Sequence, residues 1–230
     1  MYCTLLVRNN NIFGGFVMKQ NNKTRTLVQL ALLTALILLL ANLPYVGYIK
    51  LPFLGVQATT IHIPVIVGSL LLGPKYGAFL GFVFGLTSFI DNTVQPGLTS
   101  FCFSPFISMG EGLGGSPLAL VVCFLPRILV GVVPYFVSKG IRKLTKQKAP
   151  SVSYLVGGVA GSLTNTILVM GMIYLFFGTA YAAAKAVAYE AVLGIVLSVV
   201  LINGTTEAVV AGIISTGVCS ALHHAHVIKE

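Results

Sequence analysis

The sequence TTIHIPVIVGSLLLGPKYGAFLGFVFGLTSFIDN, residues 59–92, decides the fold. It consists of two apolar runs joined by a Gly-Pro-Lys turn, and glycine recurs at every fourth position from Gly73 to Gly85. In a helix this spacing lines one face with residues that lack a side chain, so another helix can approach it backbone to backbone. The stretch therefore predicts a tight membrane hairpin whose second helix packs through its glycines.

The composition of the whole chain supports a membrane protein. Its 230 residues are 56% hydrophobic and 8% charged, with a mean hydropathy of +0.94, whereas a soluble domain has roughly 25% charged residues. Continuous apolar runs near ~20 residues favour spanning helices over the alternating segments of a β-barrel. The net charge of +9 comes mostly from basic residues beside these runs, which indicates membrane topology and a lipid partner, not nucleic acid.

The runs predict an all-α membrane protein with six transmembrane helices. We expect spans at about 26–43, 59–72, 74–90, 118–137, 152–177 and 203–221. Residues 18–230 form a single domain in this interpretation, and residues 1–17 are an N-terminal extension of uncertain role. The segment 187–201 is apolar enough to enter the membrane, and three forms stay open for it: a separate segment, a re-entrant helix or an extended start of the sixth span.

Basic residues set the expected orientation. Five cations and no acid lie between Lys139 and Lys148, and cytoplasmic connections carry such an excess. Both termini are therefore predicted to be cytoplasmic. The three long connections, residues 45–58, 91–117 and 178–202, then share the outer face. Large loops on one face suggest that this face captures something.

Arg127 is the most informative single residue. It lies inside the fourth predicted span, directly after Pro126. A buried arginine is costly in a membrane and usually faces a cavity, an acid or an anionic ligand. A guanidinium can hold a carboxylate through two parallel hydrogen bonds. The alternatives are pairing with Glu207 or Asp91, or extension to the membrane surface.

Polar residues of the fifth and sixth spans are further candidates. Thr164 and Asn165 bring hydrogen-bonding groups to mid-membrane, either for a ligand or as contacts between helices. Asn203 and Glu207 are one helical turn apart and share a face, so they could both contact a ligand. Gly204, Ala208, Gly212 and Thr216 form a second ladder of small residues, for which packing is the expected role.

Three further candidates lie near the predicted outer face, and one pair lies near the inner face. His62 and Asn92 flank the first hairpin, and a structural role for His62 is the main alternative to ligand contact. Tyr45 belongs to the first loop, as an interfacial aromatic or as part of a lid. Ala31 and Ala35 form a smooth patch in the cytoplasmic half of the first span, which could dock a partner helix, although alanine pairs are common in membrane helices.

The sequence carries no enzyme signature. It has no phosphate loop, no H-E-x-x-H and no G-x-S-x-G motif, so nothing in it could hydrolyse ATP. The four cysteines lack metal or redox spacing. We therefore expect no metal, no cofactor and no disulfide framework.

Five elements together resemble one family over residues 24–222. They are A-x-x-x-A at 31–35, IHIPVIVGSLLLGPKYGAFLGFVFGLTS at 61–88, LPRILVG at 125–131, GSLTNTILVMGMIYLFFG at 161–178 and NGTTEAVVAGII at 203–214. This combination resembles the substrate-binding S component of energy-coupling factor (ECF) vitamin transporters. The resemblance implies six membrane helices around a pocket near the outer face. It also implies a membrane coupling subunit, contacted through the alanine motif, and two separate ATPases that power an inward toppling of the loaded S component.

Within that family the pattern is most similar to the pantothenate branch. Pantothenate is a small carboxylate with hydroxyls and an amide. The resemblance implies that Arg127 holds the carboxylate, while Asn165, Asn203 and Glu207 serve the polar remainder. The alternatives are an S component for folate, riboflavin or cobalamin, and a stand-alone secondary transporter, although the spans lack the carboxylates and inverted repeats typical of the latter.

Overall fold

The computed structural model describes residues 22–43, 48–51, 56–108 and 115–224. Within these residues the regular secondary structure is helical apart from one β-hairpin. The elements are α1 Asn22–Asn42, β1 Tyr48–Leu51, β2 Val56–Thr59, α2 His62–Leu72, α3 Pro74–Val94, α4 Leu118–Val130, α5 Val133–Leu144, α6 Pro150–Lys185, α7 Tyr189–Val199 and α8 Thr205–His224. A 3₁₀ turn at Ser100–Cys102 follows α3, and a π-helix at Val200–Gly204 joins α7 to α8.

Among the described residues, five helical segments are long and apolar enough to cross a membrane: Lys23–Asn42, Pro74–Val94, Leu118–Leu144, Pro150–Lys185 and Tyr189–His224. The chain is therefore a multi-pass membrane protein. The second predicted span corresponds to α2, which is apolar but only 11 residues long. The fourth corresponds to α4 and α5 together, which are separated at Gly131 and Val132.

Two segments differ from a simple six-helix prediction. Residues 189–199 continue through the π-helix into α8, so they form the extended start of the sixth span. The first loop, for which no strands were predicted, contains the antiparallel pair β1–β2, in which Tyr48 lies opposite Thr59. Its strands carry several β-branched and aromatic residues, which favour pairing.

The glycine ladder of α3 packs against α4. A Cβ on Gly77 would lie 2.0 Å from the Gly131 carbonyl oxygen, and one on Gly81 would lie 2.2 Å from the Arg127 carbonyl oxygen. At Gly85 the nearest atom would be the Phe124 side chain at 2.8 Å. Backbone-to-backbone contact is thus confirmed at Gly77 and Gly81, whereas Gly85 packs against an aromatic side chain. Gly73 has a different role, since its φ of +93° forms the turn between α2 and α3.

Helix α6 is the centre of the bundle. It contacts α2, α4, α5, α7 and α8. Its 36 residues correspond to about 54 Å, and it departs from helical geometry at Phe177, where φ is −129° and ψ is 15°. Gly158 brings it against α8, because an added Cβ would lie 3.0 Å from the Ala211 carbonyl oxygen. Gly204 of the π-helix and Gly212 of α8 face α6, in agreement with the packing role expected for that ladder.

The connection after α3 folds back onto the helices, as its apolar content predicts. Phe101 and Cys102 are fully buried, and the Phe101 ring meets the Phe177 ring edge-on at 6.1 Å. Thr93 Oγ1 donates a hydrogen bond to Ser104 Oγ at 2.8 Å, which fixes the connection to the end of α3. We call the end of the bundle that carries this connection and the β-hairpin the cavity end.

Candidate ligand-binding site

A cavity enters the bundle from the cavity end. It contains about 750 Å³ of empty space, including the part open to solvent. Thr59 at the end of β2 and Thr99 and Phe103 of the 95–108 connection line it together with α3, α4, α6, the end of α7 and α8. The β-hairpin and the second long connection thus both contribute to its walls.

Arg127 contributes the cation of the cavity wall. The residue is 5% exposed, and its Nη2 donates to Ser88 Oγ at 3.4 Å. The guanidinium carbon lies 5.0 Å from the centroid of the Phe103 ring and 5.5 Å from that of Phe84. The rings and the serine hold the guanidinium at the cavity wall.

The preceding proline explains the position of this guanidinium. Pro126 lies inside α4 and has no N–H, so it cannot donate to the carbonyl four residues earlier, at Val122. Arg127 Nη1 donates to that carbonyl at 3.0 Å. Since helical side chains point back toward the helix N-terminus, this bond directs the guanidinium toward the start of α4.

Two asparagines present polar atoms to the same cavity. Asn165 on α6 and Asn203 in the π-helix are each 7% exposed, and both line the cavity. Within the described residues, Asn165 Oδ1 and Asn203 Nδ2 have no hydrogen-bond partner. A buried polar atom without a partner costs about 1–3 kcal/mol. The pair therefore offers one acceptor and one donor to a molecule in the cavity.

Glu207 connects the β-hairpin to two helices. Its Oε1 accepts a hydrogen bond from the Thr59 N–H at 3.0 Å, and its Oε2 accepts one from Thr166 Oγ1 at 3.4 Å. Both threonines line the cavity with it. The carboxylate thus fixes the end of β2 against α6 and α8 at the cavity wall.

The structure brings together five of the eight residues predicted to contact a ligand: Asn92, Arg127, Asn165, Asn203 and Glu207. Asn92 lines the cavity but also supports the 95–108 connection, because its Oδ1 accepts from Ser100 Oγ at 2.7 Å and its Nδ2 donates to the Ser88 carbonyl at 2.8 Å. The role of each in binding stays a prediction.

The other three candidates lie elsewhere. Thr164 is outside the lining and donates its hydroxyl to the Ala160 carbonyl of its own helix at 2.7 Å. His62 is buried behind the wall, with Nδ1 3.4 Å from Thr59 Oγ1. Tyr45 lies outside the described residues.

Sequence reasoning missed several lining residues. Ser88 precedes Asn92 by one helical turn, so the i, i+4 spacing could have identified it. Thr166 replaces Thr164 as the lining threonine of α6. Tyr181 and the apolar lining residues do not differ in type from other residues of membrane helices, so the sequence could not identify them as lining residues. The apolar part of the lining is Val169, Met170, Ile173 and Val199.

The fold and the cavity define a multi-pass membrane protein with a candidate site for a small molecule that carries an anionic group, hydrogen-bonding groups and an apolar part. The family model described as ECF transporter, substrate-specific component, matches residues 25–219. The chain therefore belongs to the family of substrate-specific components of ECF transporters, and the resemblance drawn from its sequence is confirmed.

Two relatives of this chain are named as transporters of pantothenate. The chain is 40% identical over 167 residues to the pantothenic acid transporter PanT of Lactococcus lactis subsp. cremoris, which covers 73% of this chain and 78% of the relative. It is 32% identical over 157 residues to the pantothenate transporter PanT of Leuconostoc mesenteroides subsp. mesenteroides, which covers 67% of this chain and 69% of the relative.

Proposed function

We propose that this chain binds pantothenate at the outer face of a bacterial cytoplasmic membrane and delivers it inward as the S component of an ECF importer. The observation that carries the proposal is the buried guanidinium of Arg127 at the wall of a cavity that also presents the asparagine pair. The names of the two relatives support the choice of pantothenate.

Each chemical group of pantothenate has a matching group in the cavity lining. The carboxylate binds to Arg127 and Ser88, which lie on the α3–α4 wall. The amide and hydroxyls bind to Asn165 and Asn203, whose Oδ1 and Nδ2 atoms have no partner among the described residues. The two methyl groups on the quaternary carbon pack against the apolar lining of α6 and α7. Each polar group of the ligand then gains a partner that the cavity already positions, which limits the ordering cost of binding.

The test is calorimetric titration of the purified chain with pantothenate and a panel of other vitamins. We expect pantothenate to bind most tightly and Arg127→Lys to weaken its binding at least about tenfold, because lysine keeps the charge and loses the paired hydrogen bonds. A vitamin of another class bound in preference to pantothenate would replace the proposed ligand. No binding of any vitamin would refute the proposed function.

Arg142→Lys is the matched control. Arg142 also donates to a serine hydroxyl, Ser153 Oγ at 3.2 Å, and also covers an aromatic ring, that of Tyr154 at 4.9 Å. It lies at the end of α5 and is absent from the cavity lining. Its substitution should leave pantothenate affinity unchanged.

Transport requires partners in this proposal. A membrane coupling subunit docks on α1, where Ala31 and Ala35 are both exposed and Leu32 beside them is 65% exposed. Two ATPases hydrolyse ATP on the cytoplasmic side, where both termini and the basic cluster at 139–148 lie. The loaded S component topples in the membrane and so carries the cavity end inward.

A further inference from the structure

The sixth span changes helix type at the point where it meets the cavity. Residues Val200–Gly204 form a π-helix between α7 and α8. Single π turns inside α-helices are rare and occur often at functional sites. Three residues at steps of four, Val199, Asn203 and Glu207, line the cavity from this helix.

The wide turn explains how these three residues share the cavity face. In a regular α-helix of 3.6 residues per turn, each step of four residues rotates the side chain by about 40°. Two steps then carry Glu207 about 80° away from Val199. A π turn, with its i→i+5 bonds, takes up that rotation at Asn203. The π-helix therefore aims the Asn203 amide into the cavity beside Glu207.

The hydroxyls of two threonines donate to carbonyls of this turn. The Thr205 N–H donates to the Ile202 carbonyl, three residues earlier, and leaves the Leu201 carbonyl that it would serve in an α-helix. The Thr205 hydroxyl donates to the Leu201 carbonyl in its place. The Thr206 hydroxyl donates to the Ile202 carbonyl at 2.8 Å. Both threonine side chains are exposed on the outer surface of the bundle and lie outside the cavity lining.

We infer that Thr205 and Thr206 are positioning residues of the binding site, which hold the π turn that presents Asn203 to the ligand. They act from the surface of the bundle that faces lipid, without touching the ligand. A displaced carbonyl in lipid costs several kcal/mol unless a donor reaches it, so removal of the hydroxyls favours return of the segment to α-helix. That return would rotate Asn203 away from the cavity.

The test uses a double-mutant cycle in the full chain, and its binding arm rests on the proposed function, with pantothenate as the probe. Thr205→Val/Thr206→Val keeps side-chain shape and removes both hydroxyls. We expect it to weaken binding about three- to tenfold, the range for one lost hydrogen bond. In an Asn203→Ala background the same two substitutions should hardly change pantothenate affinity, because the threonines act on binding through the position of Asn203.

Two controls separate positioning from general stability. Thr205→Ser/Thr206→Ser keeps the hydroxyls and should restore wild-type affinity. Ser198→Ala removes an exposed hydroxyl that donates to the Gly194 carbonyl at 2.8 Å within regular α7, and it should leave affinity unchanged. Unaltered pantothenate affinity in the valine variant would overturn the inference. An equal loss of affinity in the wild-type and Asn203→Ala backgrounds would also overturn it.

A measurement without ligand distinguishes this inference from the proposed function. Hydrogen–deuterium exchange of residues 200–206 in the unliganded chain should accelerate in the valine variant and stay unchanged in Ser198→Ala. If wild-type protein binds no pantothenate, the proposed function fails. The exchange experiment then still decides whether the two threonines hold the π turn. Identical exchange in the valine variant and in wild type would show that the threonines do not hold the turn.

Discussion

Arg127 Nη1 donates to the carbonyl of Val122 at 3.0 Å, the one acceptor in α4 that Pro126 leaves without its helical donor. The proline and the arginine therefore work together. One interrupts the ladder of backbone hydrogen bonds, and the other uses the vacant acceptor to fix the direction of its charge. A backbone carbonyl of its own helix thus helps to hold the direction of this cation.

The first prediction restores the missing donor. In Pro126→Ala the new N–H competes for the Val122 carbonyl, so Arg127 loses its anchor. We expect pantothenate affinity to fall several-fold while the unfolding temperature stays the same or rises, since an interior proline costs a helix ~3 kcal/mol. Pro150→Ala, in the first turn of α6 where no helical donor is needed, should change neither quantity. Unchanged affinity in Pro126→Ala would disprove the anchoring role.

The second prediction concerns the contact between α3 and α4. An alanine at Gly81 would place its Cβ 2.2 Å from the Arg127 carbonyl oxygen, so the helices must separate and Arg127 must move. Overpacking of this kind costs about 1–3 kcal/mol. We expect Gly81→Ala to lower both the unfolding temperature in detergent and the ligand affinity. Gly171→Ala, where a Cβ meets no atom within 4 Å, should lower neither; equal losses in both would contradict the packing argument.

The third prediction tests the link between the β-hairpin and α8. Glu207→Ala removes the acceptor of the Thr59 N–H, so hydrogen–deuterium exchange at Thr59 should accelerate markedly. Glu207→Gln keeps an acceptor oxygen and should have a smaller effect. Glu190→Ala, in the exposed first turn of α7, serves as the control. Slow exchange at Thr59 in all three variants would show that other contacts hold the hairpin.

The fourth prediction uses a natural reporter in the 95–108 connection. Burial raises the pKa of the Cys102 thiol, so the reactive thiolate is scarce and the thiol is shielded. We expect slow maleimide labelling of Cys102, measured by peptide mass spectrometry, and faster labelling in Asn92→Ala, which loses the Ser100 contact.

Asn42→Ala is the control for this labelling experiment. Its Nδ2 donates to the carbonyl four residues earlier, at Leu38, over 2.7 Å, as Asn92 does to Ser88. It lies at the end of α1, and its loss should not alter Cys102 labelling. If Asn92→Ala leaves labelling slow, the Ser100 contact is not what closes the connection.

The fifth prediction tests the proposed docking face of α1. Ala31→Phe/Ala35→Phe adds bulk to the small-residue pair, so it should block pantothenate uptake by the complete transporter while binding to the isolated chain stays normal. Leu32→Phe/Leu36→Phe adds bulk one position along, at residues that are also exposed, and should preserve both. Equal loss of uptake in the two variants would mean that the alanine pair is not a specific docking site.

The polar residues of the candidate site could be predicted because membrane burial makes them conspicuous. Arg127, Asn165, Asn203 and Glu207 interrupt apolar runs, and such residues face the bundle interior when they occur within a span. The glycine ladder likewise showed a packing face, because its period matches the helix. Chemistry and periodicity thus predicted which residues converge, although they lie on three separate parts of the chain.

Other features carried no such signal. The side chain of Tyr181 does not differ in type from many that face lipid, and only the packing of α6 places it in the lining. The π-helix lies in an apolar run, VLING, that fits an ordinary helix equally well. The β-hairpin depends on pairing between short strands across residues 52–55, which local preference favours only weakly. These features follow from tertiary contacts, which one sequence does not display.

The facing pair Gly77 and Gly131 sets a limit on how this protein can vary. A Cβ on either residue would lie about 2 Å from the carbonyl oxygen of the other, at 2.0 and 1.9 Å. A clash with a side chain, such as Phe124 opposite Gly85, can be relieved by a shorter side chain at the second position. A carbonyl oxygen is present whatever the residue, so no second substitution at the contact can compensate. Genetic suppressors should therefore be obtainable for Gly85→Ala and not for Gly77→Ala or Gly131→Ala.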